Sequence, residues 1–421
     1  MSLEEYKMDI EGCSRCSSCK WLPQGHIKSW QFAKVCPAFS RYHFNAYSGG
    51  GKLQMANSLL HGRSEICDEI AEIVYKCMLC GGCEVSCKAY RDDIDSLEVF
   101  EAFRALCVEQ GFLIPELMDV IENMKKEDNP FGMAKGNRGN WSNGMEIADI
   151  NKQKVDVLFH AGCRFSYDEE LWPTVQNTIK LLNKAGVNVG IAGKDEACCG
   201  GRAYEMGYQG VLNNYSEDMI SRIRASGARL LVTPCADCYS AFKYFYPWTG
   251  RNLGVEVLHI SELLFRLMKQ GKIRFLKKLP LRVTYHDPCH LGRRSEPPLG
   301  KWEGNKLLRP LYYKRSGRHG IYDPPRSVIQ AIPDIEFVEM ERIRQHSWCC
   351  GAGGGVRESD PDLSMFTAKD RIDEAVSTGA DALVTACPWC ERNLKDSLKE
   401  RDTAIEVYDL VDIVFMAIGD E

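Results

Sequence analysis

The chain has 421 residues, 44% hydrophobic and 26% charged, the balance of a soluble globular protein too long for one ordinary core. A net charge of −5 with no basic block leaves no footprint for nucleic acid or an anionic membrane. The opening "MSLEEYKMDIEGCSRC" lacks the apolar segment of a signal peptide, and no run of 18 apolar residues is present to span a bilayer. A cytoplasmic protein is expected, associated with a membrane only through a partner.

Residues 1–128 read as helix around two cysteine clusters. "CDEIAEIVYKCMLCGGCEVSC" and "DSLEVFEAFRALCVEQG" carry apolar residues at helical spacing. One cluster is Cys13, Cys16 and Cys19, with Cys36-Pro37 following; the other is Cys77, Cys80, Cys83 and Cys87. The C-x₂-C-x₂-C-x₃-C spacing of the second is that of a bacterial two-cluster ferredoxin, whose fourth cysteine crosses to the other cluster. The expected ligand sets are therefore Cys77, Cys80, Cys83 with Cys36, and Cys13, Cys16, Cys19 with Cys87. Exchanging Cys36 and Cys87 would change that detail only. Cys87 is followed by Lys88, where the ferredoxin pattern has proline.

Residues 129–154 are rich in Asn, Gly and polar side chains and read as a linker, packed through Phe131, Met133 and Trp141. From 155 onward, short apolar strands such as "VDVLF", "NVGIAG", "RLLVTPC" and "VEVLHI" alternate with amphipathic helices, the pattern of parallel βα units. This pattern then repeats. "VLFHAGC" matches "VTYHDPC", "ACCGG" matches "WCCGAG", "RLLVTPCADC" matches "ALVTACPWC", and "VEVLHISELL" matches "IEVYDLVDIV". Two duplicated α/β domains are expected, over 155–278 and 279–421. The second carries an insertion around 295–320, "SEPPLGKWEGNKLLRPLYYKRSGRHG", a long basic and aromatic segment that suits either a docking element or a solvated loop.

Each repeat contributes five cysteines: Cys163, Cys198, Cys199, Cys235 and Cys238, then Cys289, Cys349, Cys350, Cys387 and Cys390. Ligands gather at the carboxyl ends of strands in open α/β sheets, so each set is expected to converge. A disulfide between adjacent cysteines is disfavoured, because their Cα atoms sit about 3.8 Å apart and an unstrained bridge needs roughly 4.4–6.8 Å. Five thiolates exceed both a tetrahedral zinc site and an ordinary cubane by one. The plain alternative is a pair of structural zinc sites in which the fifth cysteine packs as a hydrophobe. Cys67 and Cys107 remain as buried bystanders on apolar helical faces.

The pattern of one cysteine, then Cys-Cys-Gly, then Cys-x-x-Cys resembles the cysteine-rich CCG domain named for heterodisulfide reductase. With its ferredoxin-like front, the whole chain resembles the family of that enzyme's D subunit over nearly its full length. The resemblance implies a multidomain iron–sulfur protein: a helical ferredoxin-like domain with two [4Fe–4S] cubanes, then two CCG domains, each holding a noncubane [4Fe–4S] cluster on five cysteines. It also implies an oxidoreductase subunit that passes electrons to paired noncubane clusters for reduction of a disulfide or other two-electron acceptor. Related subunits accompany glycolate oxidase, anaerobic glycerol-3-phosphate dehydrogenase and class II benzoyl-CoA reductase, so a pure conduit with the substrate on a partner is a second expectation. A zinc-stabilised scaffold is a third, from another class.

Expected partners are other redox subunits, whether a flavoprotein, a cytochrome b or a substrate-reducing subunit, in a hetero-oligomer. The chain has no flavin or nicotinamide fingerprint of its own, so electrons must enter from another protein. Clusters this numerous suit an anaerobic host. His160 and His286 stand three residues before the first cysteine of each set and suit either a hydrogen bond to a cluster sulfur or plain packing. His290 and His346 belong to the second repeat alone and are the candidate proton donors to a thiolate leaving group. Trp348 and Trp389 are expected to shield a cluster, and "GAGGG" at 351–355 to wrap one with backbone, since it lacks nucleotide-loop spacing.

Overall fold

The computed structural model describes residues 2–90, 93–296 and 315–419. Most of the insertion expected at 295–320 lies outside the described residues. Its two ends are inside them: the Glu296 carboxylate accepts from the Gly317 and His319 amides, and Arg315 pairs with Glu98.

Short helices built around cysteine loops fill the first 127 residues, among them Pro37–Tyr42, Gly49–Leu60, Asp68–Tyr75, Gly82–Tyr90, Ser96–Glu109 and Pro115–Glu127. Local chemistry sets their starts. Pro37 occupies the first turn directly after Cys36, where a missing N–H costs nothing. Ser48 accepts from the Gly51 amide to cap Gly49–Leu60, and Asp68 and Glu69 face the positive end of Asp68–Tyr75. Ser96–Glu109 is buried on nearly every side, with Glu98, Glu101 and Arg104 among its buried residues. A helix with no solvent face must pass through the middle of a molecule, and its charged residues must find partners there.

Two parallel sheets follow. The first combines β1 (Ala148–Asp149), β2 (Val157–Phe159), β3 (Val189–Ile191), β4 (Leu230–Thr233) and β5 (Glu256–His259) in the order β1-β3-β2-β4-β5. The second combines β6 (Arg282–Tyr285), β7 (Glu336–Phe337), β8 (Ala382–Thr385) and β9 (Glu406–Asp409) in the order β7-β6-β8-β9. Without β1 the two orders superimpose, strand for strand. The register repeats as well: the His160 amide donates to Val232 O, and its counterpart His286 to Val384 O, each at 2.8 Å. The segment read as a linker therefore extends the first sheet through β1, and Trp141 is buried against Phe159.

Strands β2, β4, β6 and β8 are buried along almost their whole length, as parallel strands covered on both faces must be. Their carboxyl ends point toward one another across the boundary between repeats. No helix among the described residues is long and apolar enough to cross a membrane.

Candidate iron–sulfur centre

The two amino-terminal cysteine runs open onto two neighbouring cavities. One is lined by Cys13, Cys16, Cys19, Cys83 and Cys87, the other by Cys36, Cys77, Cys80 and Cys83. Each cavity thus gathers the four cysteines that the spacing grouped, with Cys83 on the wall between them. Glycines make room for the group: a Cβ on Gly49 would lie 3.0 Å from Cys83 Cβ and 3.2 Å from its Sγ, and the Gly50 amide donates to Cys19 Sγ at 3.1 Å. Cys107 is fully buried away from these loops, and Cys67 begins the helix Asp68–Tyr75.

Each strand end delivers one cysteine of a set. Cys235 and Cys387 stand just before helices that follow β4 and β8, Cys163 lies in the first turn of the helix Gly162–Tyr167 after β2, and Cys289 lies in the turn after β6. All ten cysteines are buried, none more than 7% exposed. Their sulfurs neighbour and interact with one another in single file: Cys163 with Cys198, Cys198 with Cys199, Cys199 with Cys238, and Cys238 with Cys235. The second set repeats the order, from Cys289 through Cys349, Cys350 and Cys390 to Cys387. The two files meet where Cys235 interacts with Cys387, the same position in each repeat. A further link runs from Cys349 to Cys80 in the amino-terminal region. No spacing in the sequence announces either junction.

Neighbouring groups draw some of these thiols toward thiolate, while burial and adjacent sulfurs hold Cys163, Cys235, Cys238, Cys349 and Cys390 up. Hydrogen bonds from Cys198 and Cys238 draw Cys199 down to about 5. A hydrogen bond from Cys349 outweighs burial and draws Cys80 down to about 6, with Arg293 adding to it. Cys289, Cys350 and Cys387 are likewise lowered, the first two chiefly by Cys349; at Cys387, hydrogen bonds from Cys235 and Cys390 overcome burial. Closely packed cysteine sulfurs, some of them drawn toward thiolate, with glycine at the approaches, are the donor set an iron–sulfur group requires. Gly162, at φ +79°, would place a Cβ 3.0 Å from Cys238 Sγ. The residues present fit such a group in all four places.

Charged side chains surround the sulfurs. Arg138, fully buried in the segment read as a linker, donates to Cys163 Sγ at 3.2 Å and pairs with Glu196. Glu196 in turn accepts from the Ala161 and Gly162 amides. In the second repeat Arg371 Nε donates to His286 Nδ1 at 3.0 Å, which leaves the proton on Nε2. A ring nitrogen of His286 lies within 4.8 Å of both Cys350 and Cys390. His160 has a weaker setting, its Nδ1 3.6 Å from Glu196 and its ring edge-on to Phe242.

His290 occupies the boundary between the repeats. Its Nδ1 is 3.4 Å from Cys289 Sγ and 3.2 Å from Asp237 Oδ1, and its Nε2 is 2.6 Å from Glu205 Oε1. Arg294 pairs with both Glu205 and Glu101. One guanidinium thus faces two carboxylates: Arg294 and His290 hold Glu205 down to about 2 against burial, and burial pushes Glu101 up to about 8. The other candidate donor, His346, is placed differently. Its ring packs 4.4 Å from that of His26, and burial, with His26, Arg293 and Arg318 nearby, lowers it to about 3.

The tryptophans also differ in placement. Trp389 lies between Arg164 and Arg202, whose guanidinium carbons are 4.2 and 4.0 Å from its ring. Trp348 is a core residue whose Nε1 donates to Thr367 O, with Arg342 over its face. The glycines of 351–355 press on backbone: a Cβ on Gly353 would meet Met78 O at 2.6 Å, and one on Gly354 would meet Cys77 O at 2.7 Å. Their role is close approach of the second repeat to the Cys77–Cys80 loop. Arg293 and Arg294 hold the same loop from the other side through the carbonyls of Cys80 and Leu79. The carboxylates of buried Glu84 and Glu98 and half-buried Asp95 cluster nearby, but Lys88 and Arg315 already pair with them.

Comparisons with known proteins agree with this arrangement. A 4Fe-4S dicluster domain model matches residues 9–90, and a cysteine-rich domain (CCG) model matches residues 157–243 and 283–395. The D subunit of dihydromethanophenazine:CoB–CoM heterodisulfide reductase from Methanosarcina acetivorans is 32% identical over 98% of this chain and 95% of its own. The B subunit of fumarate reductase (CoM/CoB) from Methanothermobacter marburgensis is 28% identical over 98% of this chain and 73% of its own. The probable iron-sulfur-binding oxidoreductase FadF of Bacillus subtilis is 28% identical over 97% of this chain and 54% of its own. Among solved structures, a hypothetical protein from Helicobacter pylori shares the fold at a TM-score of 0.51 and 11% identity, over 99% of this chain and 77% of that one. Ferredoxin-like front, duplicated CCG sheets and ten converging cysteines together make this chain a member of the heterodisulfide reductase D-subunit family of iron–sulfur oxidoreductases.

Proposed function

We propose that this chain reduces a disulfide, or an equivalent two-electron acceptor, at the boundary between its two repeats. The observation that carries the reading is the single file of sulfurs: Cys80 touches the second set at Cys349, and the second set touches the first at Cys387 and Cys235. In this reading Cys13, Cys16, Cys19 and Cys87 hold one cubane, Cys36, Cys77, Cys80 and Cys83 the other, and each five-cysteine set a noncubane [4Fe–4S] cluster. When bound, such groups supply one-electron storage and iron with affinity for substrate sulfur.

The chain's own residues do the remaining work. Reducing a disulfide takes up two electrons and two protons, breaks one S–S bond and yields two thiols. His290, hydrogen-bonded at Nε2 to Glu205 and facing Cys289 and Asp237 through Nδ1, is the group placed to hold a proton at that boundary. Arg138 and His286 stabilise charge on Cys163 and on the Cys350–Cys390 pair. Trp389 of the second repeat, beside Cys390, is clasped by Arg164 and Arg202 of the first.

A second reading makes the chain a conduit, with the substrate on a partner subunit. The burial of all ten CCG cysteines favours it, and so does the likeness to EtfAB:quinone oxidoreductase of Syntrophomonas wolfei, 27% identical over 83% of this chain. Anoxic purification from the host, with the accompanying subunits identified by mass spectrometry, separates the two. Disulfide-reducing activity in the isolated chain, or in a complex with a cytochrome b alone, supports reduction at the paired sets. Activity only in the presence of a substrate-reducing subunit would make the chain a conduit.

A further inference from the structure

The net charge of −5 conceals a division of sign. From Gly12 to Ser64 the sequence holds seven lysines and arginines and neither Asp nor Glu, so the rest of the chain carries −12. That stretch includes Cys13, Cys16, Cys19 and Cys36. Among the described residues Cys16 is the one exposed cysteine, so the cavity it lines is the cysteine site nearest solvent.

Arg15, Lys28, Arg41 and Arg63 are exposed, and Lys20 and Lys34 partly so. Lys52 is buried on Tyr47 O and takes no part. Trp30 and Phe44 stand well out into solvent, 80% and 64% exposed. Contacts join Trp30, Lys20 and the cavity on one face. Trp30 meets the edge of Trp21, Trp21 meets Phe39, and Lys20 lies 4.7 Å over the Phe39 ring while also lining the Cys13–Cys87 cavity. Phe44 precedes Asn45 on the rim of the same cavity. Of the acids bordering the face, Glu11 pairs with His61 and Asp95 with Lys88, while Glu341 accepts from the Ser29 hydroxyl at its edge.

We propose that this face docks an acidic electron-carrier protein, with Trp30 and Phe44 as the apolar anchors and Arg15, Lys20, Lys28, Lys34 and Arg41 as the surrounding charges. The inference rests on the iron–sulfur reading of Cys13, Cys16, Cys19 and Cys87. Exposed aromatics inside a cationic rim are the composition of a protein interface, where a large ring fills a pocket and charges set approach and orientation. An anionic bilayer would also attract the cations, but lipid has no electron to give to the site beside them. The exchange itself is balanced simply: one electron leaves the carrier's reduced centre and enters the amino-terminal site, with no bond made and no proton moved.

The test uses anoxically purified protein and two changes at exposed positions outside the cysteine loops, the double variant Lys28→Glu/Arg41→Glu and the single variant Trp30→Ala. The probe is a reduced, strongly acidic bacterial ferredoxin, followed by fluorescence titration for binding and by stopped flow for reduction, with a basic cytochrome c as counter-probe. Because long-range steering changes association rates by about 10- to 1000-fold, the double variant should associate with ferredoxin at least about tenfold more slowly at low salt. The wild-type rate should fall steeply as salt shortens the screening length toward about 8 Å. Trp30→Ala should weaken binding with little change in salt dependence. Equal ferredoxin affinity in wild type and double variant at low salt would overturn the proposal. So would binding of the wild type, but not the variant, to phosphatidylcholine–phosphatidylglycerol vesicles with no affinity for ferredoxin. Wild-type protein lacking iron would instead refute the iron–sulfur reading on which the surface rests, and metal analysis of the same preparation detects that separately.

Discussion

Arg104 is fully buried, and its guanidinium donates to five backbone carbonyls from three parts of the chain. These are Val74, Tyr75 and Cys77 of the amino-terminal region at 3.4, 3.2 and 2.6 Å, Glu205 of the first repeat at 3.0 Å, and Gly354 of the second at 2.6 Å. Replacing it with methionine keeps much of the volume and removes every donor. Hydrogen bonds from a charged donor contribute about 1.5–3 kcal/mol each. A plain sum over five overshoots, because the two longest bonds are weak and loosened carbonyls recover some water. The three bonds at 3.0 Å or less, less the burial of the charge itself, give a loss of about 4 kcal/mol for Arg104→Met, within the range for breaking a buried charged network. That is a large fraction of the 5–15 kcal/mol that holds a typical domain together. At a urea slope of about 3 kcal/mol per molar or more, the midpoint should fall by about 1 M. The assay is anoxic urea unfolding at a fixed incubation time, followed by near-ultraviolet dichroism and iron–sulfur absorbance. Arg104→Lys, with a charge but no planar fork, should fall between the two. A midpoint for Arg104→Met within about 0.2 M of wild type would refute the view that one side chain locks the three parts together.

Other outcomes follow from the same geometry. Cys199→Ser removes a central sulfur of the first set and should lower iron by about four per chain while leaving the amino-terminal signals intact; metal analysis with electron paramagnetic resonance checks this. Arg138→Gln withdraws a positive donor from Cys163 Sγ, so the potential of the first set should become more negative by tens of millivolts in a redox titration, and an unchanged potential would count against tuning by Arg138. Glu101, raised to about 8 by burial, binds its proton more tightly folded than unfolded, where its value is about 4.3. Its favourable contribution is complete below about pH 4.3 and is lost as pH rises toward 8, so the wild-type urea midpoint should decline over that window and Glu101→Gln should flatten the decline. A Glu101→Gln curve parallel to wild type would show that Glu101 is ionised throughout.

Strand-length apolar runs and cysteine spacing made the duplicated sheets readable, because both report purely local constraints: a buried parallel strand needs continuous apolar residues, and a multi-thiolate site needs cysteines at strand ends. β1 escaped notice because two residues, Ala148 and Asp149, carry no pattern and gain their place only by pairing with β3. The same holds for β7, Glu336–Phe337. Arg138, Glu205 and Arg104 were not legible for a different reason. A buried charge far from a motif looks in sequence like any surface charge, and only the fold shows that its partners are sulfurs or carbonyls. His290 could be named because it adjoins Cys289, yet its partners Glu205 and Asp237 come from the other repeat. His346, named on the same grounds of proximity, packs on His26 instead. One clue to the junction was available: Gly353 and Gly354 exceed what a tight turn after Cys350 needs, and the excess serves the Cys77–Met78 backbone.

The central claim is that ten cysteines of two repeats hold a pair of five-thiolate iron–sulfur centres in line with two cubanes. Mössbauer spectroscopy with iron, sulfide and zinc analysis on anoxically purified protein tests it most directly. The account predicts about 16 irons and a matching amount of sulfide per chain, with half of the iron in a signature distinct from that of cubanes. About eight irons of cubane type, with stoichiometric zinc making up the balance, would contradict it.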